Sequence, residues 1–294
     1  MPKTGIPPAA AASRVTQDKW VAVRAALREA GDRFADLVLS VPDPSVLATK
    51  DWSVAETAAH VTGIAMNYTA MVSEGRRPLP IPEVRQYVPV TTVDTIHTGL
   101  NRVQLESFPE RDPVRLAARL RGAVAEILSI TEHTDPARVV PWLGDSRLPV
   151  AGVLAHMVNE LLIHGWDVAR AVKAPWRMPE DQAALFFELF LVEIGRNGYG
   201  HMLDDDRPVR PGRIAVEFRS AHTAPVTFVL ESGVATVAEP DVPADVRVWF
   251  RPSTMNMVLF HRFTHLQAAL RGSLRVWGRR PWLLPAFLRK VRLP

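Results

Sequence analysis

The spacing of apolar residues divides the chain into a helical part and a shorter mixed part. Up to about residue 200, apolar residues recur every three or four positions, which is the period of an amphipathic helix. Ser53 and Glu56 form an S-x-x-E capping box, a typical helix start. The pattern predicts helices near 15–41, 51–75, 93–107, 112–133, 150–172 and 180–200.

The pattern changes after the charged, proline-containing run LDDDRPVRPGR at residues 203–213. Beyond it, β-branched and aromatic residues predict strands, and a helix is expected from about Ser253 to Leu270. We therefore expect a mainly α N-terminal four-helix bundle over residues 14–202 and a small α+β domain over 213–294. The predicted strands of this second domain are RIAVEFRS, PVTFVLES, VATVAE, VRVWFR and SLRVWG.

Composition narrows the class of protein. With 47% hydrophobic and 22% charged residues among 294, the chain is typical of a globular protein. No run approaches 18 apolar residues, so no transmembrane segment is expected. The first 20 residues lack the apolar core of a signal peptide, which predicts a flexible leader and a cytoplasmic location. Cysteine is absent, so any thiol chemistry needs a thiol from a cofactor or substrate.

The basic residues are unevenly distributed. From Val246 to Pro294 there are ten Lys or Arg and no Asp or Glu, while the preceding residues are net negative. Such a segment suits nucleic acid, a membrane surface or a small anionic ligand. No zinc-finger, basic-zipper or aromatic RNA-binding motif is present, so no nucleic-acid partner is expected and a small anionic ligand is favoured.

The segment HMVNELLIHGWDVARAV at residues 156–172 carries metal-competent side chains on one helical face. His156, Glu160 and His164 are four residues apart. The two histidines are separated by about 12 Å along a helix, too far to share one ion. Glu160 and one of these histidines could bind the same ion. The third ligand would then come from another element, and His60 is the candidate. On spacing alone, ordinary polar contacts remain the alternative.

The motifs DWSVAETAAHV at 51–61 and HMVNELLIHGWDVARAV resemble those of the mycothiol-dependent maleylpyruvate isomerase family. LRGSLRVWG, near the end of the chain, looks like part of that family's C-terminal domain. The resemblance implies a DinB-like four-helix bundle followed by a sterol-carrier-like (SCP2-like) domain. It also implies a divalent metal, expected to be zinc, held by His60, Glu160 and His164, with mycothiol as the thiol.

The resemblance implies an enzyme acting on a small anionic or electrophilic substrate. Either a maleylpyruvate-type cis–trans isomerase or a thiol S-transferase would need a cation for the substrate's negative charge. Arg271 is the first choice for this catalytic role because it precedes a glycine turn; Arg262, Arg275 and Arg279 are the rivals. The alternative function is a lipid or small-ligand binding protein with a structural metal.

Overall fold

The computed structural model describes residues 14–239 and 242–293, so most of the predicted leader lies outside the described residues. Within this range, a helical N-terminal part is followed by an α+β part, as the sequence predicted. The N-terminal helices are α1 (Gln17–Leu39), α2 (Val54–Val72), α3 (Arg102–Ser107), α4 (Pro113–Ile130), α5 (Val150–Val172), α6 (Glu180–Leu185) and α7 (Val192–Asn197). The remaining helices are α8 (Pro252–Leu259), α9 (His265–Leu270) and α10 (Leu284–Lys290).

Four long helices form the bundle. Helix α1 packs on α4 and α5, and α2 packs on the same two helices, so each member packs mainly on two neighbours. The predicted capping box of α2 is confirmed: the Ser53 hydroxyl accepts from the Glu56 backbone, and the Glu56 carboxylate accepts from the Ser53 backbone. These bonds satisfy amides that a helix start otherwise leaves unpaired. They fix where α2 begins, and therefore which of its residues face α5.

A five-stranded sheet forms the centre of the C-terminal part. Its strands are β3 (Arg213–Arg219), β4 (Val226–Glu231), β5 (Val234–Val237), β6 (Val246–Phe250) and β7 (Leu274–Gly278). The strand order is β5-β4-β3-β6-β7, with β3 and β6 parallel and the other neighbours antiparallel. The Phe187 ring joins the two parts, lying 4.8 Å from that of Phe250 and 5.8 Å from that of Phe218.

Several predicted helices differ in detail from the structure. The helix expected over 253–270 is broken between α8 and α9, because His261 adopts a left-handed φ of 60° and Thr264 caps a new helix. The helix expected over 180–200 is interrupted by a π-helical stretch, Phe186–Leu191. A second π-helical stretch, His97–Asn101, precedes α3. The sequence pattern also gave no sign of the short hairpin β1 (Val139–Pro141) and β2 (Arg147–Pro149).

No helix among residues 14–239 and 242–293 combines the length and the apolar character that crossing a membrane requires.

Gly165 lets a tryptophan pack directly on α5. A Cβ at this position would lie 2.1 Å from the Trp176 ring. That ring cannot easily withdraw, because its Nε1–H donates to the Leu162 carbonyl at 3.0 Å and the Arg33 guanidinium covers its face at 4.5 Å. The glycine in the middle of this helix is therefore explained by close packing.

We expect Gly165→Ala to lower the free energy of unfolding by about 1–3 kcal/mol, since overpacking outweighs the gain in helix propensity. Gly122→Ala is the matched control, because Gly122 lies inside α4 and a Cβ there would have no neighbour within 4 Å. The control should gain up to about 1 kcal/mol. Urea unfolding of both variants measures the difference, and equal effects would contradict the packing explanation.

Candidate metal centre

Three buried side chains from two antiparallel helices meet inside the bundle. His60 is on α2, while Glu160 and His164 occupy successive turns of α5. Glu160 Oε2 lies 3.6 Å from His60 Nε2 and 3.4 Å from His164 Nε2. One ligand atom from each residue lies within 4.8 Å of the others, and the described residues contain no other such group of three. One carboxylate oxygen therefore stands between two imidazoles.

These donors suit a divalent ion. Two ligands about 2.0–2.2 Å from zinc, at the tetrahedral angle, are about 3.4 Å apart, which matches both distances to Glu160. Two imidazoles and one carboxylate form a set that zinc accepts, and three protein ligands leave a fourth position open. The residues present therefore fit the metal that the family resemblance implies.

Asp167 and Arg262 hold His164 in place. Asp167 Oδ2 lies 3.1 Å from His164 Nδ1, one turn along α5. Arg262 Nε and Nη2 donate to the two oxygens of Asp167 at 3.1 and 2.6 Å. With Nδ1–H donated to Asp167, His164 directs Nε2 towards Glu160, where this atom can carry a proton in the metal-free centre or give its lone pair to an ion. A carboxylate on the far nitrogen of a liganding histidine is a common orienting contact.

The surroundings of Glu160, His60 and His164 also determine which of these side chains carry a charge. Burial opposes the charge on Glu160, but hydrogen bonds to His164 and His60 hold its pKa well below the ordinary value. Burial lowers the pKa of His60, which keeps that imidazole neutral. Burial also opposes the charge on His164, but the bonds to Asp167 and Glu160 prevail and raise its pKa to about 9. The metal-free centre therefore balances one buried carboxylate with one protonated imidazole.

His156 faces the other oxygen of Glu160. Its Nε2 lies 3.6 Å from Oε1, and its Nδ1 lies 3.0 Å from the Tyr68 hydroxyl. That hydroxyl accepts a hydrogen bond from Trp142 Nε1 at 3.0 Å. Tyr68 can therefore donate to Nδ1 and leave the Nε2–H directed at Glu160. His156 is therefore placed to orient the carboxylate.

The centre opens into a cavity of about 690 Å³. Trp52 forms one wall, its ring 4.6 Å from the ring of His60 and 5.3 Å from that of His97. Both π-helical stretches face this cavity, which accords with the frequent use of π-bulges at functional sites. Their residues in its lining are His97, Leu100, Asn101, Phe186 and Phe190.

The structure brings His60, Glu160 and His164 together but does not bring Arg271 to them. Arg271 is exposed, and its guanidinium lies 4.4 Å from the centre of the Phe263 ring. Of the four arginines considered from the sequence, the cavity lining contains Arg262 alone. Sequence reasoning missed Tyr68 and Trp142. Tyr68 follows His60 by eight residues, a spacing that places both on one face of α2 and could have revealed it.

Comparisons with known proteins relate the chain to one family. The model of the mycothiol maleylpyruvate isomerase N-terminal domain matches residues 23–169. Similar solved structures include the crystal structures of the mycothiol-dependent maleylpyruvate isomerase and of a histidine-to-alanine mutant of it. Each is 12% identical, with a TM-score of 0.49, covering 87% of this chain and 92% of that chain. No curated protein matches the chain.

If the three residues hold an ion, the purified protein should contain about one divalent metal per chain, and His60→Ala or His164→Ala should lose it. Elemental analysis of purified protein provides the measurement. His222→Ala, at an exposed histidine in the C-terminal part, is the control and should keep the metal. Full occupancy in both ligand variants would rule out this assignment.

Asp167→Asn should weaken zinc binding by about 10- to 100-fold, because His164 loses a charged partner that fixes its orientation. Asp204→Asn supplies a matched control, since Asp204 contacts the exposed His201 with the same three-residue spacing at 2.9 Å. Competition with a chelator of known affinity gives the dissociation constants. Equal affinities in the two variants would show that the contact with Asp167 does not act on the metal.

Proposed function

Because the chain belongs to the mycothiol maleylpyruvate isomerase N-terminal domain family, we propose that it is a metal-dependent enzyme that uses mycothiol on a small electrophile. The observation that carries this proposal is the His60–Glu160–His164 group, which lines a 690 Å³ cavity and lies within the matched residues. A purely structural metal site is normally closed by four protein ligands. The expected cytoplasmic location stays a prediction.

The metal and the thiol that the family implies would each supply one chemical property. A divalent ion, with zinc as the expected one, would lower the pKa of a thiol bound beside these side chains. Mycothiol would supply the nucleophilic sulfur, for reversible addition to a double bond in an isomerase or for displacement in a transferase. The protein's own residues do the rest: Glu160 contributes the negative charge, Asp167 fixes His164, and Trp52 shields one side from water.

We propose Arg262 as the cation that faces the electrophile. It lines the cavity, is half-buried, and is fixed by its two bonds to Asp167. A fixed guanidinium in a partly dry site stabilises the negative charge that develops on an attacked substrate. The role predicted for Arg271 would require its side chain to leave Phe263. Arg262 therefore has the position in the cavity that the catalytic cation needs, a role for which Arg271 was the first choice from the sequence.

The alternative, a lipid or small-ligand binding protein, rests on a second cavity in the C-terminal part. Apolar side chains line it, including Phe187, Phe218, Phe228 and Phe287. Its volume is about 80 Å³. Pockets for small organic ligands usually measure about 300–1,000 Å³. This cavity is too small for a lipid chain without rearrangement, so the enzyme proposal is preferred.

The metal-loaded protein should convert maleylpyruvate to fumarylpyruvate only when mycothiol is present, if it is an isomerase. A transferase should instead consume mycothiol and an alkylating electrophile in equal amounts. Absorbance of the isomers and titration of the remaining thiol separate the two outcomes. Absence of any thiol-dependent activity, together with lipid that copurifies with the protein, would support the binding-protein alternative.

Arg262→Ala should lower kcat/KM by about 100-fold, because a charge-assisted contact worth a few kcal/mol is lost in a partly dry site. Arg271→Ala should leave it within about twofold. Metal content, measured on the same samples with zinc in excess, should persist in both variants. A larger loss of kcat/KM in Arg271→Ala than in Arg262→Ala would assign the catalytic cation to Arg271. Unchanged kcat/KM in both variants would exclude both arginines from the mechanism.

A further inference from the structure

The large cavity extends well beyond the metal centre. His60, Ile64, Tyr68 and Met71 lie along one face of α2 and line it over about 16 Å. Helix α5 runs antiparallel to α2, since the His60 ring lies 5.2 Å from that of His164 while Tyr68 contacts His156. The cavity therefore has one end beside Trp52 and another beyond the Tyr68–His156 contact.

Charge is confined to the Trp52 end. The charged lining residues come from the loop before α2, from α5 at Glu160 and later, and from the loop after α8. They are Lys50, Asp51, Glu160, Asp167, Arg170 and Arg262. The Met71 end is lined by hydrocarbon and aromatic side chains, with no charged residue among the described residues there. They include Met71, Leu79, Val88, Leu143 and Phe190; the Phe190 ring packs against Trp142, and the segment of Val88 packs against that of Leu143.

The polar groups in the wall of the apolar end are largely satisfied by one another. Trp142 donates to Tyr68, and Tyr68 contacts His156. Burial raises the pKa of Tyr68, so this hydroxyl stays neutral. Asn67 is the exception: its carbonyl oxygen is buried and has no hydrogen-bond partner among the residues described. This end offers one open polar contact and nothing that would compensate a carboxylate.

We propose that the apolar end holds an uncharged hydrocarbon portion of the electrophile, several carbons long. The preferred substrate class is then an electrophile with an apolar body and a reactive group at the Trp52 end, ahead of a small dicarboxylate. The position of the reactive group rests on the proposed function. The binding of the apolar body does not, because it needs neither thiol nor metal chemistry. A volume of about 690 Å³ accommodates such a molecule.

Unreactive N-alkylsuccinimides, from ethyl to hexyl, test the proposal on the metal-loaded protein without mycothiol. Each added methylene that leaves water should lower the dissociation constant about fourfold. Isothermal titration calorimetry measures the series, with maleate as the dicarboxylate for comparison. Affinity that does not change with chain length, or maleate that binds more tightly than the hexyl compound, would overturn the proposal.

Met71→Trp should fill the apolar end and weaken hexyl binding by at least about tenfold, with little change for the ethyl compound. Met66→Trp is the matched control, since Met66 is on α2 but outside the cavity lining. Val88→Trp fills the same end from a separate segment and serves if the Met71 variant does not fold. Unchanged hexyl binding in a folded filling variant would place the alkyl chain elsewhere and reject the assignment.

N-alkylmaleimides with mycothiol separate this inference from the proposed function. Chain-length-dependent binding of the succinimides, without thiol-dependent turnover of any electrophile, would support the apolar site and reject the proposed activity. Turnover of maleylpyruvate, with neither binding nor rate depending on chain length, would support the activity and overturn the apolar site. If both hold, kcat/KM for the maleimides should also rise about fourfold per methylene.

Discussion

The buried negative charge of Glu160 organises the candidate metal centre and the helices around it. Glu160 lies in the interior of a four-helix bundle, where an uncompensated carboxylate would cost several kcal/mol. Its oxygens face imidazoles from two helices, and the two imidazoles on α5, those of His156 and His164, are held in turn by Tyr68 and Asp167. The register of α2 against α5 is therefore fixed by polar contacts as well as by packing. The same arrangement that makes the carboxylate tolerable also makes the site suitable for a cation.

The C-terminal part completes this arrangement. Asp167 is itself buried, and Arg262, from the loop between α8 and α9, is the partner that compensates its charge. A second buried contact between the two parts lies nearby, where the Asn256 amide donates to Asn159 at 3.0 Å. The α+β part thus contributes directly to the electrostatics of a centre whose three candidate ligands all lie in the helical part.

Local patterns predicted the features that depend on one element. Each of these features can be read from the sequence of a single helix. They are the helical spacing, the Ser53 capping box and the shared face of His156, Glu160 and His164, and the structure bears out these placements. The choice among the arginines depends on a loop whose left-handed turn at His261 directs Arg262 towards α5. The π-helical stretches are likewise invisible to a pattern with a fixed period. The choice of arginine and the π-helical stretches were not predicted from the sequence because tertiary contacts determine them.

The π-helical stretch Phe186–Leu191 has a consequence for how this protein can diverge. Phe186 and Phe190 line the cavity, while Phe187, between them, packs on the sheet. One stretch of helix thus serves both the ligand cavity and the interface between the two parts. Mutations that reshape the cavity here would also alter the packing of this helix on the sheet. Their effects on ligand binding would therefore depend strongly on compensating changes in the sheet. Evolutionary paths to new specificities through this stretch are therefore epistatic.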